Sequence, residues 1–169
     1  MRKIKRKYLY FTVNFLIFAL LYLFHYSCGN ILSIRNATPM LILPMLTAFS
    51  MFNDEVSSAV TGLAVGIFMD AAASKAYCFN ALVLLCVGLL TSLIARYLFN
   101  RNFRSAIVLS LLGNVFYYIL RWLFFYAFGS GISSSLTYLL EFGIPSAVYS
   151  TVFVIPFFFI QNLYNKKSS

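Results

Sequence analysis

Six apolar runs separated by short polar breaks make up the chain, at about 8–27, 39–52, 56–72, 79–99, 105–128 and 136–162. A helix needs about 20 apolar residues to cross a hydrocarbon layer about 30 Å thick. The first run, from Tyr8 to Ser27, meets that length without interruption. The second, from Pro39 to Phe52, is short and holds both Pro39 and Pro44. It is therefore expected to be kinked, tilted or partly re-entrant. The breaks are Gly29 to Thr38, Asn53-Asp54-Glu55, Ser74 to Tyr77, Asn100 to Arg104 and Gly129 to Ser135. Barrel strands alternate apolar and polar residues over about 10 positions, whereas these runs are continuous. The pattern predicts an all-α integral membrane protein, a single domain over 1–169 built from a bundle of about six transmembrane helices.

Composition sharpens this picture. The 169 residues are 62% hydrophobic and 10% charged, against roughly 25% charged in a soluble domain, and no stretch is left for a separate soluble domain. The net charge of +9 does not point to nucleic acid, because the basic residues cluster at segment ends. Arg2, Lys3, Lys5, Arg6 and Lys7, the group Arg96, Arg101 and Arg104, and the pair Lys166 and Lys167 fall on one predicted side. Arg35 and Lys75 fall on the other, and Arg121 lies inside a run. Lysine and arginine hold segment ends in the cytoplasm, so both termini are expected there. Nothing resembling an Ala-x-Ala cleavage site follows the basic N-terminus, and His25-Tyr26-Ser27 before Cys28 is a poor lipoprotein match, so the first segment reads as a retained anchor. Cys28, Cys78 and Cys86 are odd in number and scattered, without disulfide or metal spacing. Tyr8, Tyr10, Tyr22, Tyr26, Tyr97, Trp122, Tyr126 and Tyr164 lie near segment ends, as interfacial anchors do.

Within the third run, Ser58, Gly62, Gly66 and Asp70 recur every fourth residue. On a helix they share one face, a groove of small residues ending in a carboxylate. Helices in lipid associate through close backbone approach, which such a face permits. Two occupants are open: a helix of the same bundle, or the helix of a partner protein. A carboxylate near the bilayer centre costs about 2.5–3.5 kcal/mol, so Asp70 needs a partner or a position at the water boundary.

Asp70, Arg121 and Glu141 are expected at a common depth in the outer half of the membrane. Arg121 is the strong cation within reach of either acid. Their cluster reads as a structural ion pair or triad, or as a polar cavity for a ligand or proton. His25, between Tyr22 and Tyr26, is expected at the interface. Catalysis finds little support. The chain has a single histidine, at the end of the first run, and no Gly-x-Ser-x-Gly. No acidic pair suggests a metal or a diphosphate. No catalytic, cofactor or metal residue is therefore assigned.

The series Gly62-Leu-Ala-Val-Gly66-Ile-Phe-Met-Asp70, then Asn80-Ala81-Leu82, then Arg96-Tyr-Leu-Phe-Asn-Arg101-Asn102, resembles the rod shape-determining MreD family. The resemblance spans about Ser58 to Arg104, and chain length and a basic N-terminus agree with it. Where the family has small or glycine residues before Asn-Ala-Leu, this chain has Tyr77-Cys78-Phe79, so its turn is built differently. The resemblance implies a non-enzymatic membrane scaffold of the bacterial elongation machinery in the cytoplasmic (inner) membrane. It implies a bundle similar to the substrate-binding subunits of energy-coupling-factor transporters. It also implies docking of the single span of MreC, and through it links to MreB, RodA and a class B penicillin-binding protein in peptidoglycan synthesis. The alternative from another class is a transporter's substrate-binding subunit with an outward small-molecule or lipid site. Those subunits carry an Ala-x-x-x-Ala face in the first helix, whereas this first run holds only Ala19.

Overall fold

A computed structural model describes residues 2–28, 40–73, 78–98, 102–127 and 143–168. In chain order the helices are α1 (Arg2–Cys28), α2 (Ile42–Phe52), α3 (Glu55–Ala73), α4 (Phe79–Tyr97), α5 (Phe103–Trp122), α6 (Ile144–Val152) and α7 (Val154–Ser168). A π turn, Leu123–Ala127, prolongs α5. The described residues are otherwise helical, joined by turns. Segments 55–72, 79–97, 103–125 and 144–164 are long and apolar enough to cross a membrane. The fold is thus the expected all-α membrane bundle.

α2 sits at its centre. Every residue from Met40 to Met51 is buried, and α2 touches α1, α3, α4, α5, α6 and α7. A helix apolar on all sides is stable only where other helices enclose it. Its 11 residues extend about 16 Å, half of a hydrocarbon layer. The second run therefore supplies a short core helix, and Pro44 does not kink it. Pro44 lies in the first turn, where its missing N–H would have had no acceptor within the helix. Asn53 closes the other end: its backbone is extended, and its side-chain amide donates to the Phe49 carbonyl at 2.8 Å. The Ser58 N–H then bonds the Asp54 carbonyl at 2.9 Å, which begins α3.

α3 and α4 are the most extensively packed pair of helices and run antiparallel. The last expected segment, 136–162, is interrupted within its described part. Pro156 lacks the N–H that would reach the Val152 carbonyl. Phe153 accordingly leaves the helix, its N–H bonding Ser150 O at 3.1 Å, and α6 gives way to α7. Around the rim, Leu16, Leu20, Leu23, Val56, Val60 and Leu163 are exposed, as side chains that meet lipid should be.

The core around α2 generates a stability prediction. Phe49 is fully buried, stacks on Tyr10 and meets Phe18 edge-on. Phe49→Ala should destabilise the bundle by about 3–5 kcal/mol. Leu20→Ala, on the exposed side of α1, should leave thermal unfolding in detergent close to that of the parent.

Candidate functional site: a helix pair clamped by a carboxylate

The small-residue face of α3 is filled from within the chain. A Cβ at Gly62 would lie 2.3 Å from the Leu84 carbonyl oxygen, and one at Gly66 would lie 2.4 Å from the Ala81 Cα. The arrangement is reciprocal. A Cβ at Gly88 of α4 would lie 2.6 Å from the Ser58 carbonyl oxygen. Ser58, Gly62 and Gly66 thus oppose Gly88, Leu84 and Ala81 in antiparallel register, backbone against backbone. Of the two occupants open for this face, the structure has the intramolecular one, and a partner helix cannot share it.

Asp70 ends the same register. It is 8% exposed. Its Oδ1 accepts from the Asn80 side-chain amide at 2.8 Å and from the Asn80 backbone N–H at 3.2 Å. Its Oδ2 accepts from the Ala81 N–H at 2.9 Å. The first N–H groups of a helix have no acceptor inside it, and a side-chain oxygen at the cap position ordinarily serves those of the second and third residues. Here the cap residue is Cys78, which makes no such bond, and the carboxylate of the neighbouring helix takes its place. The partial positive charge at the start of α4 offsets the buried anion.

Cys78 adopts the left-handed backbone, φ 54° and ψ 23°, a conformation that favours glycine. This is the physical content of the departure at Tyr77-Cys78-Phe79. The Asn-Ala-Leu motif is likewise accounted for. Asn80 and Ala81 bond Asp70, small Ala81 lets Gly66 approach, and the Leu82 N–H closes the first turn on Cys78 O at 3.2 Å.

The link to α5 runs through a tyrosine that the sequence did not single out. Tyr117 is buried and donates to Asn80 Oδ1 at 2.8 Å. Arg121, one turn along α5, interacts with the Tyr117 hydroxyl. Asp70 and Arg121 of the expected grouping are thus linked through Asn80 and Tyr117. Glu141, the third member of the expected cluster, lies outside the described residues.

A second polar group knits the opposite end. Tyr10 donates to Gln161 Oε1 across 151 positions of sequence. Gln161 donates to Asn14 Oδ1 at 2.6 Å, and Asn53 donates to the Tyr10 hydroxyl at 3.1 Å. Ser92 donates to the Asn53 carbonyl at 2.8 Å. Arg96 forks onto both oxygens of Glu55 at 2.8 and 2.9 Å. Helices α1, α2, α3, α4 and α7 meet here. The signal in the sequence was the presence of Asn14 and Gln161 within apolar runs, since buried amides require partners. Among the described residues, no group of three or more His, Cys, Asp or Glu converges as a metal site would.

Two predictions follow from this geometry. Gly62→Leu and Gly66→Leu should prevent accumulation of folded protein, because the intruded atoms are backbone, whereas Leu63→Ile should be tolerated. Asp70→Ala should cost about 1.5–3 kcal/mol, the range for hydrogen bonds to a charged group. The cost of Asp70→Ala combined with Tyr117→Phe should be less than the sum of the two, by about 0.5 kcal/mol or more, since both act through Asn80. The yield of folded protein measures the glycine variants, and thermal unfolding of the purified protein measures the rest.

No match was found among curated proteins or among solved structures, and the likeness to transporter substrate-binding subunits remains an implication of the resemblance. A family model described as rod shape-determining protein MreD matches residues 5–167, nearly the whole chain. The chain belongs to the MreD family, the shape-determining membrane proteins.

Proposed function

We propose that the chain is a non-enzymatic scaffold of the cell-elongation complex in the bacterial inner membrane, with both termini in the cytoplasm. It docks the membrane span of MreC and, through it, serves MreB, RodA and a class B penicillin-binding protein in peptidoglycan synthesis. Family membership supplies the role in shape determination. The observation that supports a scaffold is the use made of buried polar groups. Asp70, Asn80 and Tyr117 at one end, and Tyr10, Asn14, Asn53 and Gln161 at the other, are bonded to other helices. Thr47 and Thr61 bond only within their own helices, but the polar groups at these two ends fix helices relative to one another, which is the requirement of a rigid docking platform. Because α4 fills the Gly62/Gly66 face, MreC must meet another face of the bundle.

The orientation rests on the skew of basic residues and on the gathering of Tyr10, Asn53, Arg96 and Gln161 at one end. In a chain carrying Cys28→Ser and Cys86→Ser, native Cys78 should react with a membrane-impermeant maleimide in intact cells. With Cys78 also replaced by serine, Asn102→Cys should react only after permeabilisation. Labelling of both positions from one side contradicts the topology. The tagged chain, purified gently from its host, should bring MreC with it. Purification without MreC, together with unchanged cell shape on depletion, contradicts the scaffold reading.

A further inference from the structure

α5 packs on α4 less extensively than α3 does, and the space between them is a groove of about 360 Å³. Val87, Leu90 and Ile94 of α4 and Leu109, Leu112 and Phe116 of α5 line it. Its floor is Gly113, where an added Cβ would lie 3.3 Å from Thr47 and Val87 side-chain carbons. Leu90, Leu112 and Phe116 at the mouth are exposed, so the groove opens sideways, along the surface that faces the bilayer. Its walls are hydrocarbon apart from Thr91. Left empty, they would forfeit dispersion contacts that a chain of methylenes supplies.

Charge identifies the rest of the occupant. Ile94 and Leu109 mark one end of the groove, and beyond it the stretch from Arg96 to Arg104 contains three arginines and no acid. Arg96 is matched by Glu55 at 2.8 Å. Arg104 is exposed, and among the described residues no acidic group forms an ion pair with it. It stands five residues before Leu109, about 7.5 Å along the helix. Side chains lean toward a helix's N-terminus, so the Arg104 head lies at the interface beyond the groove, about 140° round α5 from Leu109 and about 80° from Leu112, and its stem wraps the helix surface to meet a headgroup there. An acyl tail in the groove would thus place a phosphate at the guanidinium of Arg104. We infer that the α4/α5 groove is a binding site for an anionic phospholipid, with one acyl chain between Leu90 and Leu112 and the headgroup held by Arg104.

The test is competition between dioleoyl-phosphatidylglycerol and dioleoyl-phosphatidylcholine for the purified full chain, read by native mass spectrometry. The parent should retain the anionic lipid preferentially. Arg104→Gln should reduce that preference about fivefold, the effect of one basic residue near an anionic surface. Leu112→Trp, which fills the groove from an exposed position, should reduce retention of both lipids while leaving the melting temperature in detergent close to the parent's. If Leu112→Trp does not accumulate, Leu90→Trp on the opposite wall provides the same reading. Equal retention of the two lipids by the parent overturns the inference, as does retention indifferent to Arg104→Gln or to filling the groove.

Discussion

Close approach of two backbones governs this bundle. Without side chains at Gly62, Gly66 and Gly88, α3 and α4 come near enough for carbonyl and Cα atoms to occupy the space a Cβ would take. In lipid, where apolar surface gains nothing by leaving its solvent, such contact is a principal source of helix association. The register it sets brings Asp70 to the N–H groups that begin α4, so the geometric constraint and the electrostatic one reinforce each other. A shift of either helix by one turn would place side chains in the groove and strand a carboxylate in an apolar layer.

The remaining helices are fastened to this pair at its two ends. Tyr117 brings α5 to Asn80. At the opposite end Asn53 and Ser92 tie α2 to α4, and Tyr10 and Gln161 bring together the first and last helices. Between them α2 serves as the packed core and ends at Asn53, back at the end where α1 carries Tyr10, which gives a membrane protein an interior like that of a soluble one. Polar groups used in this way define relative helix positions.

Much of this was legible in the sequence, and the exceptions have physical causes. The apolar runs predicted the helices because continuous hydrophobicity of spanning length has few other interpretations in a bilayer. The four-residue recurrence from Ser58 to Asp70 predicted a packing face, but periodicity describes one helix and cannot name the helix opposite. The acceptor role of Asp70 is not legible from a search for charged partners. A helix N-terminus is a cationic site that carries no charged residue. The central position of α2 could not be read from its length alone, although a run too short to span and apolar on every side was the clue. The break at Phe153 follows from Pro156, whose signal is masked by the continuous apolar run around it. The Tyr10–Gln161 bond joins residues 151 positions apart, beyond the reach of any local pattern.

The claim that Asp70 caps α4 from the neighbouring helix is tested most directly by backbone hydrogen exchange at Asn80 and Ala81. In an ordinary helix the first-turn amides have no acceptor inside the helix and exchange readily. Here both bond a buried carboxylate, so they should be protected in the parent, and exchange should accelerate in Asp70→Ala while the middle of α4 stays protected. Rapid exchange of Asn80 and Ala81 in the parent, or no change on removing the carboxylate, would contradict the account.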